Sequence, residues 1–488
     1  MSELNKYQKE AVKKAVEEEK IFLIHGPPGT GKTTTLVACI EELVKKGKKV
    51  LATADSNIAV DNIVERLVQR GIRTVRVGNP VRVLKSTRMH TLDYLLEIEP
   101  EFNKAKKIYE EIEKIREEQK RYIRPEPRYR RGLSDEEILK RAKTGTSVRG
   151  LSPKILRSMA KWIKLQEKIK ELYEVAKKEE KKAVDKILKR SDVVCTTNST
   201  AGSEILEGYT FDVVVIDEAT QATEPSCLIP LVKGKKLIMA GDHKQLPPTV
   251  LSEEAKEGLS YTLFERLIDL YGEKFYALLR IQYRMNRKIM EFSNRMFYEG
   301  KLIAHESVAD RTLKELINEE VLREIPSPYK EAIFPENVIV FMDTEGREKQ
   351  RKGSTSFYNE EEARLCKKLV EYLLKVGLKA EDIGVISPYE DQVNFLEELI
   401  KIKNLEIKTV DGFQGREKEV IIISFVRANP YGDLGFLKDY RRLNVALTRA
   451  KRKLIMVGNV KTLGKDNVYG ELIRYVGEEG VILKVRKP

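Results

Sequence analysis

Ile21-Phe22-Leu23-Ile24-His25-Gly26-Pro27-Pro28-Gly29-Thr30-Gly31-Lys32-Thr33-Thr34 runs from a short apolar stretch through a glycine-rich turn into the helical pattern Thr34–Val44. The turn Gly26–Thr33 fits GxxxxGK[ST], and a strand before it with a helix after it is the context that loop requires. Glycines let backbone N–H groups wrap phosphates, and the helix N-terminus adds a favourable dipole. In such a loop Lys32 reaches the β and γ phosphates and Thr33 holds Mg²⁺. Gly26, Pro27, Pro28, Gly29, Thr30, Gly31, Lys32, Thr33 and Thr34 are therefore expected to bind ATP or another nucleoside triphosphate.

Outward from this loop the chain alternates short Val- and Ile-rich runs with helical patterns. The runs are Ile21–His25, Lys49–Ala54, Asp192–Thr196, Asp212–Asp217 and Lys236–Ala240. Alternation of this kind predicts a parallel sheet covered on both faces. A second set follows at Asn337–Met342, Asp382–Ser387, Ile407–Val410, Val420–Val426 and Lys453–Val457. The expected fold is thus α/β, with two parallel-sheet lobes in tandem and a changeover near Leu251–Arg280. Between about Glu97 and Arg190 the rhythm breaks. Ile108, Ile112 and Ile115, then Met159, Trp162, Ile163, Gln166 and Ile169, recur at helical spacing around a looser stretch, Pro125–Gly150. We read this as a helical hairpin inserted into the first lobe. The boundaries are 1–96 and 191–265 for lobe 1, 97–190 for the insertion and 266–488 for lobe 2.

Composition narrows the function. The 488 residues are 41% hydrophobic, enough for real cores. No apolar run approaches the ~20 residues that span a bilayer, and Met1–Lys20 has no signal-type block. A soluble intracellular protein is expected: cytoplasmic, or nuclear in a eukaryote. Cys39, Cys195, Cys227 and Cys366 lie far apart, which suggests neither a disulfide framework nor a zinc site. Between Glu101 and Arg190 stand 28 Lys and Arg against 16 Asp and Glu, so this segment holds +12 of the chain's +14. Such a concentration suits a polyanion, because each neutralised phosphate releases counterions. A solvated helix face or a docking site for a protein partner would look similar. Arg128, Arg130, Arg131 and Lys161 are the individual contacts we single out.

Asp217-Glu218 ends the apolar run Val213–Ile216. A carboxylate at such a strand end holds the metal and its neighbour polarises the attacking water. Asp217 is assigned to Mg²⁺ and Glu218 to the general base.

These motifs, with several further on, resemble those of superfamily 1 helicases. Asp217-Glu218-Ala219-Thr220-Gln221 and Gly241-Asp242-His243-Lys244-Gln245-Leu246-Pro247-Pro248 look like motifs II and III. Gln282-Tyr283-Arg284-Met285, Val410-Asp411-Gly412-Phe413-Gln414-Gly415-Arg416-Glu417 and Arg442-Leu443-Asn444-Val445-Ala446-Leu447-Thr448-Arg449-Ala450 resemble the second-lobe motifs. The nearest branch is that of the nonsense-mediated-decay and immunoglobulin-mu-binding-protein helicases, which move 5′ to 3′. The resemblance runs from Leu4 to about Gly458 and implies two RecA-like lobes sharing one nucleotide site.

The resemblance also implies roles. Gln8 reads adenine, Tyr283 stacks on it and Glu417 accepts from the ribose hydroxyls. Gln245 senses the γ-phosphate, and Arg284 and Arg449 are arginine fingers from the second lobe. Ten glutamines occur in the chain, and Gln8, Gln221, Gln245, Gln282 and Gln414 all fall inside motifs. Ala54–Asp61 and Cys195–Thr200 look like the strand-binding motifs Ia and Ib. Ser56, Asn57, Thr196, Thr197, Ser387, Pro388, Tyr389 and Thr409 are the expected single-strand contacts, gripping backbone without reading sequence. The branch usually carries a β-barrel subdomain ahead of the adenine-reading motif. This sequence begins almost at that motif, so a core without the barrel is expected.

The leading expectation is an ATP-dependent helicase or translocase on single-stranded DNA or RNA, acting as a monomer. A clamp that uses ATP only to switch its affinity, and a P-loop ATPase acting on protein partners, are the alternatives. The motif set speaks against the second of these.

Overall fold

The computed structural model describes residues 2–80, 84–148 and 150–486. Its fifteen strands, all found among those residues, are nearly all short and apolar. They are β1 (Ile21–His25), β2 (Val50–Ala54), β3 (Thr74–Arg76), β4 (Val193–Thr197), β5 (Phe211–Ile216), β6 (Gly234–Gly241), β7 (Tyr276–Leu278), β8 (Ile281–Gln282), β9 (Ile303–Ala304), β10 (Ile339–Asp343), β11 (Ile383–Ser387), β12 (Glu406–Thr409), β13 (Lys418–Ser424), β14 (Ala450–Gly458) and β15 (Val481–Lys484).

The chain forms two units, Met1–Lys46 with Thr53–Asp55 and Thr210–Pro488, and Gly47–Ala52 with Ser56–Tyr209. In the first unit β5, β6, β1 and β7 lie side by side, all parallel. A six-stranded sheet of order β12-β11-β13-β14-β10-β15 follows, also parallel throughout. Val420, Ile421, Ile422 and Ile423 of β13 are fully buried. A run buried on successive residues, with no alternation, is what a sheet packed on both faces demands. Two parallel-sheet α/β layers in tandem are the architecture the alternating pattern predicts.

Five strands escape the sequence pattern: β3, β7, β8, β9 and β15 span 3, 3, 2, 2 and 4 residues, too short for a periodicity to register. β7 pairs with β1 from Leu23↔Tyr276 to His25↔Leu278. The first sheet therefore reaches past residue 265, where the sequence reading starts the second lobe.

In the second unit the helices Pro100–Gln119 and Pro153–Arg190 pack along each other through Ile112, Ile115 and Ile169. The stretch read as loose holds two helices, Pro127–Arg130 and Asp135–Thr144. Ser134 and Glu137 form a capping box at the start of the longer one, and Gly145 (φ 70°) caps its end. Ile138, Leu151, Leu156, Met159, Ala160 and Ile163 give this end of the hairpin a small core of its own. No helix among the described residues is long and apolar enough to cross a membrane.

Candidate nucleotide site and strand-contact residues

The loop after β1 turns through Gly29 (φ 74°) and Gly31 (φ 76°), a left-handed backbone that costs other residues energy. A Cβ on Gly29 would stand 2.7 Å from the Cβ of Arg284, and the Gly29 carbonyl accepts from the Tyr283 N–H at 2.7 Å. The loop is thus braced by the residues that follow β8. Gly31 opens the helix Lys32–Lys45, so the helix's first N–H groups face the loop.

Lys32, Thr33, Asp217 and Glu218 come together. The Lys32 ammonium donates to Asp217 Oδ1 at 2.5 Å and to Glu218 Oε1 at 2.8 Å. Thr33 Oγ1 donates to Asp217 Oδ2 at 3.1 Å. Burial works against the lysine's charge, but the two carboxylates outweigh it and hold its pKa above the ordinary value. Glu218 has φ 51°, an unusual setting for a side chain, and its second oxygen accepts from Gln221 Nε2 at 3.1 Å. Asp217 and Thr33 set two hard oxygen donors beside the phosphate loop, a donor set that fits Mg²⁺.

Arg449 and Glu417 sit immediately before β14 and β13, strands paired at Lys418↔Ala450. Arg449 is 1% exposed, and its guanidinium donates to Val445 O, Arg416 O, Thr448 Oγ1 and, at 3.3 Å, Gln245 Oε1. Burial and the neighbouring Arg284 press its pKa down. Arg284 Nε pairs with Glu417 Oε2 at 2.6 Å, and Nη1 donates to Thr448 O at 3.0 Å. Burial opposes ionisation of Glu417, yet Arg284 and Lys451 hold its carboxyl low. The two residues assigned to phosphate and ribose thus hold each other here.

Gln8 is buried under the loop. Its Oε1 accepts from Asn5 N at 3.0 Å and its Nε2 donates to Thr30 O at 3.0 Å. Tyr283 is 38% exposed, with its ring 4.8 Å from that of His305 and its hydroxyl accepting from Asn5 Nδ2 at 2.8 Å.

Sequence reasoning missed the group that orients Gln245. Asp242, 3% exposed, accepts four hydrogen bonds. Oδ1 takes His25 Nε2 at 2.7 Å and Lys244 N at 3.1 Å; Oδ2 takes Gln245 Nε2 at 2.7 Å and the Tyr298 hydroxyl at 2.7 Å. Burial would raise its pKa, but His25, Tyr298 and Gln245 together bring it down to about 2. A carboxylate only accepts, so His25 Nε2 carries a proton, and its Nδ1 lies 2.6 Å from the Tyr276 hydroxyl. Burial, reinforced by His25, pushes the pKa of the adjoining His243 down to about 3. The sequence did hold a signal: two of only four histidines border the phosphate loop and motif III.

The expected strand contacts divide by burial. In the second unit Ser56 caps the helix Asn57–Gln69, and Asn57 Oδ1 accepts from Arg76 Nη2 at 2.8 Å. Thr197 Oγ1 donates to Thr200 Oγ1 at 3.0 Å, while Thr196 is fully buried and donates to Val77 O at 2.9 Å. In the first unit Thr409 caps the turn Val410–Phe413. Ser387 is fully buried and accepts from Tyr389 N at 3.3 Å. Tyr389 is 4% exposed, its hydroxyl donating to Leu434 O at 3.3 Å and accepting from Arg427 Nη1 at 3.2 Å. Pro388 lines a small cleft with Phe436 and Arg442. The side chains of Thr196, Ser387 and Tyr389 are buried and engaged inside the fold. Each is committed inside a core where turning outward would strand a buried partner.

At the end of the hairpin, positions 120–165 carry 14 Lys and Arg against 4 Asp and Glu. Arg124 lies over Trp162 at 5.9 Å, Arg128 over Tyr129 at 4.6 Å and Lys161 over Tyr122 at 5.3 Å. Arg128 also pairs with Glu126 at 3.1 Å, and Arg130 with Asp135 at 2.7 Å.

Residues 3–253 match a family described as an AAA domain, and residues 259–461 match a second family of that description. An uncharacterized ATP-dependent helicase of Methanocaldococcus jannaschii is 51% identical over 477 residues, covering 97% of this chain and 70% of the relative. The DNA-binding protein SMUBP-2 of Mesocricetus auratus is 38% identical over 489 residues, covering 98% and 45%. The regulator of nonsense transcripts 1 homolog of Drosophila melanogaster is 35% identical over 504 residues, covering 99% and 37%. The chain spans less than half the length of the last two.

Proposed function

The chain belongs to the superfamily 1 helicases, and on that premise we propose that it hydrolyses ATP to move 5′ to 3′ along single-stranded DNA or RNA. One observation carries this reading: Arg449, which precedes β14 of the second sheet, donates to Gln245, which follows β6 of the first. Guanidinium and phosphate loop thus come from different sheets, and closing or opening one against the other changes the chemistry.

In the proposed cycle the loop N–H groups and Lys32 take the β and γ phosphates. Lys32 leaves Asp217 and Glu218 to do so, which frees Glu218 to accept a proton from the attacking water. Thr33 and Asp217 hold Mg²⁺, which when bound neutralises charge on the phosphate oxygens. Arg284 and Arg449 stabilise charge on the transferring phosphoryl group, and Gln245 links that event to the rest of the chain. Tyr283, Gln8 and Glu417 form the base and ribose end.

We keep the division proposed from sequence, with lobe 1 at 1–96 and from 191 and an insertion at 97–190, but carry lobe 1 through β7, so that lobe 2 begins after Leu278 rather than at 266. Strand contacts are proposed at Ser56, Asn57 and Thr197 in one unit and at Thr409 in the other, with the basic end of the hairpin as an added grip. SMUBP-2 is by its name a DNA-binding protein, which supports a nucleic-acid track here. Such work suits an intracellular protein, in the cytoplasm or, in a eukaryote, the nucleus.

The test is ATP turnover with and without single-stranded DNA and RNA, followed by displacement of a labelled strand from duplexes carrying a 5′ or a 3′ tail. Stimulated turnover and release from the 5′-tailed duplex alone are expected. Turnover indifferent to both nucleic acids would refute the proposal.

A further inference from the structure

The hydrogen bonds around Asp242 form a chain whose middle no motif assignment explains. Tyr298 follows the helix Arg287–Phe297, is 3% exposed, and packs its ring into the core of the second sheet. Its hydroxyl donates to Asp242 Oδ2 at 2.7 Å and accepts from Asn444 Nδ2 at 2.9 Å. Asn444 also donates to Lys244 O at 2.9 Å and lies on the helix Tyr440–Leu447, which leads through Thr448 into Arg449. One phenol oxygen therefore ties the residues after β6 to the segment that delivers the buried guanidinium.

We propose that Tyr298 is a positioning residue for ATP hydrolysis, fixing the Asp242 carboxylate so that the Gln245 amide presents its oxygen to Arg449. This rests on the function proposed above. A Gln side chain turns its NH₂ and its oxygen in opposite directions. With the NH₂ on Asp242 Oδ2 at 2.7 Å, the oxygen faces Arg449 Nη2 at 3.3 Å. Reversed, the amide would set its NH₂ against a guanidinium, donor on donor. The choice between the two orientations lies with the carboxylate, which is aimed by Tyr298 on one oxygen and by His25 and Lys244 N on the other. The ring of Tyr298 is accounted for by packing; the hydroxyl is buried and serves these two partners.

The experiment is a double-mutant cycle on the full chain: Tyr298→Phe, Gln245→Ala and the pair, with steady-state ATP turnover measured in saturating single-stranded DNA. Tyr298→Phe keeps the ring and should melt as the parent does. We expect it to lower kcat on the order of tenfold, about the factor one lost hydrogen bond to a charged group supplies, with KM for ATP little changed. If Tyr298 acts through Gln245, the double variant turns over no more slowly than Gln245→Ala alone, because the step is already lost. A double variant whose loss is the product of the single losses would overturn the proposal, as would Tyr298→Phe with the parent's kcat. Gln245→Ala with unchanged turnover would instead refute the nucleotide-site reading beneath it. Asn444→Ala, which cuts the link from the other side, gives a second cycle with the same expected pattern should Tyr298→Phe melt early.

Discussion

Arg449 Nη2 and Gln245 Oε1 lie 3.3 Å apart although 204 residues separate them. Arg449 also donates to two main-chain carbonyls, so its planar fork is used in several directions at once. Lysine offers one point charge in place of that fork. Arg449→Lys should therefore fold, bind ATP and lose turnover by about a hundredfold or more, consistent with the value of an arginine finger. Stopped-flow or steady-state ATPase assays check this, and a rate within a factor of a few of the parent would remove Arg449 from the chemistry.

Glu218 meets both Lys32 and Gln221, which aims its carboxylate without surrounding it. Glu218→Gln preserves shape and removes the proton acceptor. Turnover should fall by about 10²–10⁴-fold, while ATP affinity, read with a fluorescent nucleotide, stays close to the parent's. Equal loss of binding and turnover would mean that the residue holds nucleotide and does not activate water.

At Gly29 the backbone is left-handed and a Cβ would press on Arg284 at 2.7 Å. Gly29→Ala should cost about 1–2 kcal/mol from the backbone setting alone, visible as a lower urea midpoint. It should also weaken ATP binding, because the loop and the segment after β8 can no longer keep their spacing. Parental stability with parental affinity would contradict this account of the loop.

His243 has its pKa pushed down to about 3, against 6.5 ordinarily. Between those values the unfolded chain takes up a proton that the folded chain refuses, so stability is intact above about pH 6.5 and declines as pH falls toward 3. Asp242, held near 2, adds a further loss only below its ordinary 3.8. Melting temperatures measured from pH 7 to pH 4.5 should thus fall less steeply for His243→Gln than for the parent. Parallel slopes would exclude His243 as a source of the decline.

Arg124, Arg128 and Lys161 are exposed and lie over aromatic rings at the basic end of the hairpin. Replacing all three with Gln should weaken single-strand binding. If each meets a phosphate, the slope of log affinity against log salt should drop by up to about 2, at ~0.7 per contact. Fluorescence anisotropy at several salt concentrations measures it, and an unaltered slope would assign this end of the hairpin to some other partner.

Much of the molecule was legible from local pattern. Gly26–Thr33 declares its loop because phosphate wrapping needs glycine at set intervals between a strand and a helix, and all of those residues are neighbours in sequence. Asp217-Glu218 is equally readable, since four apolar residues before it fix a strand end. The ten short apolar runs predicted the two parallel sheets for the same reason. Short strands such as Tyr276–Leu278 did not register, and the helix Asp135–Thr144 hid in a polar stretch where its capping box was the only cue.

What tertiary structure alone decided is which polar groups face a ligand and which are already engaged. Ser387, Tyr389 and Thr196 carry suitable chemistry at suitable strand ends, yet packing engages Ser387 with Tyr389 N, Tyr389 with Leu434 and Arg427, and Thr196 with Val77. Asp242 reads as one acidic residue among many until His25, Gln245 and Tyr298 converge on it from positions as far as 217 residues away. Hydrogen bonds reach about 3 Å and burial sets what each is worth. Both depend on distances that the order of residues does not contain and that exist only once the sheets have packed.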